Sequence, residues 1–245
     1  MPASFNLTPL DLQLLAMTDE EFVPHDWNNL QDIIAPHRIT ARNDLAALKR
    51  KPSDLRRYIR WSDETKIEYG SMMNYICLRR LKWPLPSNLS GTVPAPDTQD
   101  PAAVNGAGSS ASGGVLTFKN PRPFADPSDY RILRNDWPYG MAPGISHLVV
   151  WLRTPIPVES DEGHLTCESR KLIDNFVKRK FVQRLAEDKA GRFVTPETHV
   201  LWFKNWVGLQ SVRALEHVHI LVRDVPEDIL AEWSGEPRLK DHYSY

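Results

Sequence analysis

Residues 215–223 read LEHVHILVR, a run in which two histidines stand one residue apart among aliphatic side chains. Period-two alternation of this kind is the mark of a strand, and side chains along a strand point to opposite faces in turn. Leu215, His217, His219, Leu221 and Arg223 therefore share one side, and Val218, Ile220 and Val222 the other. The aliphatic side calls for a helix packed across it. The other side carries two imidazoles whose Cα atoms are about 6.6 Å apart, close enough to act on one anion or one metal ion.

Neighbouring segments extend the same pattern. YRILR (130–134) and HLVVWL (147–152) read as strands around the turn NDWPYGMAPG, and HVLWFKNW (199–206) as another. Between them, CESRKLIDNFVKRKFVQRLAED keeps helical spacing through Leu172, Ile173, Phe176, Val177, Phe181 and Leu185. The expected fold is α+β: an antiparallel sheet of about four strands with a packed helix, preceded by an all-helical N-terminal part.

That N-terminal part spans 1–85. Thr8-Pro9-Leu10-Asp11 combines a capping hydroxyl, a proline at the first helical position and a carboxylate at the third. Asp26 caps a helix with Trp27, Leu30, Ile33 and Ile34 on one face, and Asn43 precedes DLAALKR. PSDLRRYIRW follows Pro52, and the spacing predicts a separate long helix from Ser62 to Trp83 with Ile67, Tyr75, Leu78 and Leu81 as its stripe. Residues 86–116 turn to Ser, Gly, Pro, Ala and Asn, a composition expected of a disordered insertion. Residues 117–235 form the α+β part carrying the candidate site, and 236–245 a polar tail. The helical and α+β parts are expected to make one composite domain.

Composition bounds the function. With 41% apolar and 25% charged residues in 245, the chain reads as a globular protein with a real core. No secretory signal and no apolar run of about 18 residues is visible, so a cytoplasmic location without membrane contact is expected. Cys77 and Cys167 alone do not make a disulfide framework or a thiolate zinc site. A net charge of −1 argues against nucleic-acid binding. The charge is uneven: residues 38–82 hold twelve Lys and Arg against five Asp and Glu. Their densest stretch, KRKPSDLRRYIR (49–60), reads as a solvated helix face partly paired with the acidic remainder, since no aromatic side chains interleave for base stacking.

Further candidates surround the histidines. Asn135 and Asp136 occupy a turn before Trp137-Pro138-Tyr139-Gly140, where Gly140 would permit positive φ. His147 opens a strand and could face the pair. Trp202, Lys204 and Trp206 alternate with Leu201, Phe203 and Asn205, so two tryptophans could bracket a sugar or base beside a cation. Each has a plainer reading: turn chemistry for Asn, Asp, Pro and Gly, core packing for the tryptophans, backbone-bonded structural histidines for the imidazoles.

PSDLRRY, ILRNDWPYG followed by HLVVW, and WFKNW with the downstream SVRALEHVHIL together resemble the fungal N-acetylglucosamine-induced protein 1 family. The resemblance covers nearly the whole chain outside the insertion and the ends. It implies a cytosolic fungal protein tied to the amino-sugar response and assigns no catalytic residue. The positions matching its motifs are Asn135 to Gly140, His147, Trp202, Asn205, Trp206, Glu216, His217 and His219. A weaker similarity in shape, to the histidine-triad hydrolases and transferases, departs at the third alternating position, which is Leu221 or Leu215 here.

Three expectations follow for the site. As an enzyme on a phosphorylated sugar or nucleotide-sugar, the chain would use one of His217 and His219 as nucleophile or general acid/base, with Asp136 as a further catalytic candidate. The other imidazole, with Lys204 or Arg223, would hold phosphate, and Asn135, Trp137, Tyr139, His147, Trp202, Asn205 and Trp206 would complete the substrate site. As a sensor, the same pocket would bind an amino-sugar metabolite without turnover. As a metal site, His217 and His219 would need His147 or Asp136 as a third ligand. No cofactor is named by the residues.

Overall fold

The computed structural model describes residues 7–34, 44–85, 116–159, 164–206, 210, 212 and 215–237. The expected insertion, apart from its last residue, and most of the polar tail lie outside them. By contacts the chain divides into two compact units, Met1–Asp19 with Pro52–Thr117, and Glu20–Lys51 with Phe118–Tyr245. Residues 20–51, grouped in sequence order with the N-terminal helices, thus belong with the sheet. Among the described residues no helix is long and apolar enough to cross a membrane.

The first unit is helical. Helix α1, Pro9–Ala16, starts with the expected capping box: Asp11 N–H donates to Thr8 Oγ1 at 3.1 Å, and Thr8 N–H to the Asp11 carboxylate at 2.9 Å. Helix α3, Pro52–Tyr69, runs straight through Ser62, where the sequence pattern suggested a boundary. Nothing at 61–62 breaks a helix. The break comes at Gly70, with φ of 77°, followed by Ser71, whose side chain caps α4, Met72–Tyr75. A π-helical stretch, Ile76–Leu81, continues from there. Because the helical phase restarts at 71, the expected stripe fails: Ile67 is 75% and Leu78 44% exposed, and the buried face of α3 is Leu55, Tyr58, Ser62 and Thr65. The basic run also has structural work here, since Arg56 donates to the carbonyl oxygens of Leu15 and Met17 at the end of α1.

The second unit holds helix α2, Trp27–Ile34, and a four-stranded antiparallel sheet. Its strands are β1, Tyr130–Arg134; β2, Ile145–Leu152; β3, Val200–Phe203; and β4, Glu216–Arg223, in the order β1-β2-β4-β3. Strand β4 is central, as its two-sided burial requires. One sheet face carries Ile132, Leu148, Val150, Val200, Trp202, Val218, Ile220 and Val222. Against it pack α5, Cys167–Val177, its π-helical extension Lys178–Val182 and α6, Gln183–Ala186, together with α7, Glu227–Ser234. Burying Ile173, Phe176, Phe181, Leu185, Ile229 and Trp233 there supplies ~1.5–3 kcal/mol per side chain. On the opposite face, Phe203 and Leu221 join Trp27, Leu30, Ile33, Ile34, Leu45 and Leu48. The fold is α+β, as the alternation in the second part predicts.

Candidate functional site

Antiparallel register sets the histidine face. Trp151 pairs with His217, Val149 and Phe203 flank His219, and His147 pairs with Leu221. Cross-strand partners point the same way, so His147, His217 and His219 meet on the face opposite α5. All three are buried, at 6%, 5% and 8% exposure. Each imidazole lies on an aromatic ring: His219 stacks on Phe203 at 4.7 Å and 11°, His147 on Tyr139 at 5.6 Å and 21°, and His217 lies 4.8 Å from Trp151.

Hydrogen bonds join these rings into a chain. His147 Nε2 and His219 Nδ1 are 2.9 Å apart. Asn135, the residue after β1, donates its backbone N–H to the His147 carbonyl oxygen at 2.9 Å and places Nδ2 3.2 Å from His147 Nδ1. At the other end Asn205 Nδ2 lies 3.4 Å from His219 Nε2, while Asn205 Oδ1 is buried with no hydrogen-bond partner among the described residues. His217 stands beside the chain, its ring 5.2 Å from that of His219, and its Nδ1–H donates to the Leu215 carbonyl oxygen at 2.7 Å.

Burial disfavours the charged imidazolium at all three positions. It is the chief reason His147 is held down to about 3, with the Arg50 guanidinium adding to it. Burial likewise lowers His217 to about 4, helped by Lys204 and opposed by the bond to Leu215. His219 falls well below its ordinary value through burial and then through its two imidazole neighbours, Arg50 and Lys204. At neutral pH the cluster is a set of uncharged imidazoles, each offering one donor and one acceptor nitrogen.

The bend from Asn135 to Gly140 is clamped in place. Trp137 N–H donates to Asn135 Oδ1 at 3.0 Å, the Trp137 carbonyl oxygen accepts from Arg50 Nε at 3.3 Å, and the Arg50 guanidinium lies 5.5 Å from the Tyr139 ring centre. Gly140 N–H donates to the Lys49 carbonyl oxygen, and the Gly140 oxygen accepts from His25 N–H. Positive φ is not why glycine is needed, since Gly140 is absent from the residues in that region. Close approach is: a Cβ there would lie 2.5 Å from Phe22 Cζ and 3.2 Å from Lys51 N.

The structure thus brings Asn135, Tyr139, His147, Asn205, His217 and His219 together, with Trp137 bonded to Asn135. Asp136 is half-buried in the same bend. Trp202 is on the other face of the sheet, where its Nε1–H donates to Asp174 of α5 at 2.8 Å. Lys204 leaves the histidine face too: its side chain is 3% exposed and Nζ sits 3.4 Å from Glu216 Oε2. Burial raises the Glu216 carboxyl, and Lys204 works against that rise. Arg223 keeps the expected parity but stands four residues beyond His219 at the end of β4, 5.1 Å over the Trp27 ring. Trp206 packs against the α2 cluster. Among the described residues no three His, Cys, Asp or Glu side chains are grouped to hold a metal ion. Sequence reasoning missed Arg50, Trp151 and Phe203. The strand alternation carried a signal for the last two, whereas Arg50 lay hidden in a basic run read as a solvated face.

These features define an α+β protein with a buried imidazole–amide cluster on the sheet face opposite α5. Residues 26–223 match the family described as "Protein of unknown function (DUF3605)", and the chain belongs to that family. It is 32% identical over 127 residues to N-acetylglucosamine-induced protein 1 of Candida albicans, a match covering 49% of this chain and 46% of that protein, so it spans about half of that relative's length. It is 26% identical over 203 residues to the uncharacterized protein YPL067C of Saccharomyces cerevisiae, covering 83% and 81% of the two chains. The solved crystal structure of HTC1 aligns with a TM-score of 0.50 at 25% identity, over 86% of this chain and 91% of that one.

Proposed function

We propose that the chain is a cytosolic, histidine-dependent enzyme acting on a phosphorylated sugar or nucleotide-sugar. The observation that carries this reading is the hydrogen-bonded His147–His219 pair with His217 beside it, anchored by Asn135 and Asn205. Uncharged imidazoles can serve as proton donors and acceptors, and with His147 held down to about 3 and His217 to about 4 they would act as bases only once a bound anion lifts those values toward the working pH. The kinship to N-acetylglucosamine-induced protein 1 supports an amino-sugar as the substrate's core. Arg50, whose charge reaches His147 and His219, supports a phosphoryl group on it. The charge of Lys204 also reaches His217 and His219, although its ammonium is paired with Glu216, whereas Arg223 lies over Trp27.

The test is turnover on a panel of hexosamine phosphates and nucleotide-sugars, followed by phosphorus NMR. Conversion by the native chain is expected, falling at least about 100-fold in both His217→Ala and His219→Ala. Absence of conversion across the panel, or unchanged rates in both variants, overturns the reading. A bound phosphate would also raise the imidazole pKa values, so binding should take up protons from buffer.

A second reading, a metabolite sensor, is favoured by the burial of all three imidazoles beyond nine-tenths. It predicts a rise in Tm on adding an amino-sugar phosphate with no product formed.

A further inference from the structure

Another buried histidine lies outside the sheet cluster. His25, 9% exposed, stands just before α2, and both nitrogens of its ring are engaged. The Lys49 backbone N–H donates to His25 Nε2 at 3.1 Å, and Nδ1 lies 2.6 Å from Asn29 Oδ1. A backbone N–H can only donate, so Nε2 must hold a lone pair. The neutral ring then carries its proton on Nδ1 and donates it to the Asn29 oxygen. A doubly protonated ring would set a second N–H against that of Lys49. Either the extra proton or the bond can be present, not both.

The backbone of the same residue completes a knot of three segments. His25 N–H donates to the Gly140 carbonyl oxygen at 2.9 Å, and the His25 oxygen accepts from Ala142 N–H at 2.9 Å, a parallel bridge to Met141. Gly140 N–H donates in turn to the Lys49 oxygen at 2.8 Å. Lys49 therefore has its oxygen held by the bend and its N–H by the His25 ring. The next residue is Arg50, whose Nε donates to the Trp137 oxygen at 3.3 Å and whose guanidinium lies 5.5 Å from the Tyr139 ring centre. Tyr139 stacks on His147 at 5.6 Å, so one ring nitrogen of His25 bears on where the Arg50 charge stands beside the imidazole cluster. The titratable side chains on the segments around His25 are Glu20 and Glu21 beside Phe22, whose ring meets it edge-on, then Asp26, the cations Lys49, Arg50 and Lys51, and Asp136 and Tyr139 of the bend. Asp26 accepts from Asn29 N–H at 2.8 Å.

We infer that His25 is a positioning residue for Arg50 and a proton-operated latch: uncharged, it holds residues 49–51 against the bend, and on taking a proton at Nε2 it releases Lys49 and with it Arg50. The phosphate-holding role of Arg50 rests on the enzymatic reading above; the latch does not. On that reading, protonation of His25 loosens the grip on a phosphoryl group without any change in the sheet imidazoles.

The full chain, labelled with nitrogen-15, reports each step by NMR over about pH 8 to 5, the span in which imidazoles change charge. At the upper end, long-range proton–nitrogen correlation should show His25 protonated at Nδ1, with assignment by His25→Gln. As the ring gains its second proton, protection of the Lys49 amide from hydrogen exchange should fall at least about tenfold. The Arg50 Nε–H signal, assigned by Arg50→Lys, should move with the same midpoint. In His25→Gln the side-chain oxygen can accept from Lys49 N–H without titrating, so both reporters should stay unchanged across the range. A native ring protonated at Nε2 at the upper end overturns the inference. So does a ring that stays uncharged throughout, a Lys49 or Arg50 signal that ignores His25 protonation, or a His25→Gln chain that responds as the native one does. Should that variant not fold, the native titration decides alone. If the reporters behave as expected and no panel compound is converted, the latch stands and the enzymatic reading fails.

Discussion

At the scale of single residues, the backbone does much of the positioning that side chains then use. Gly140 shows this most directly. Its missing Cβ lets the Phe22 ring and the Lys51 backbone close on the bend that presents Asn135 and Tyr139. Gly140→Ala should destabilise the chain by about 1–3 kcal/mol, because the ring and backbone must move to admit a methyl group. Urea denaturation checks it, and a shift below about 0.5 kcal/mol would mean that the clamp gives way freely. The paired histidines were legible from their alternation with aliphatic residues, and so was their common face. Which other polar residues join them was not legible. Lys204 and Trp202 share the chain neighbourhood of Asn205, yet they leave for the opposite face to meet Glu216 and Asp174.

Whole elements are where sequence signals performed most evenly. Thr8 and Asp11 form the box their spacing announces, and Thr166 caps α5 by accepting from Ser169 N–H at 3.0 Å. Helix α5 covers the aliphatic side of the sheet, so losing that cap should be felt by the second unit. Thr166→Ala is expected to cost ~1 kcal/mol, seen as a lower urea midpoint with an unchanged m-value. A changed m-value would instead indicate that the sheet face had partly opened. The misplaced boundary in the first unit has a simple cause. Apolar spacing across 52–83 fits a break at more than one point, and the local breaker, Gly70 followed by a capping Ser71, settles it by backbone conformation.

For the molecule as a whole, three uncharged buried imidazoles impose a pH dependence whose sign is definite. Above the ordinary histidine pKa of about 6.5, folded and unfolded chains are both neutral at these positions, and nothing is gained or lost. Below it the unfolded chain takes up protons that His217, held down to about 4, and His147, held down to about 3, refuse while folded. Stability should therefore fall as pH drops from 6.5 toward 4, by up to about 1.4 kcal/mol per pH unit for each such histidine. Urea midpoints measured from pH 7.5 to 4.5 test this; a flat profile would mean that the native cluster accepts protons. Asp188 does not mask the effect. Its bond to Arg192 holds its carboxyl down to about 2, so that contribution is present above the usual carboxylate range and lost only at lower pH.

Local periodicity by itself determined the strands of the second part, the aliphatic and imidazole sides of β4 and the caps of the helices, because each depends on residues within a turn or a few strand steps of one another. Tertiary structure alone decided that Arg50 would reach Tyr139 from 89 positions away in the chain, that Arg223 would lie on Trp27, and that Asn135 and Asn205 would terminate the His147–His219 bond. Partners of that kind follow from strand order and register. Those are set by how whole faces bury together, and no short stretch of the sequence encodes them.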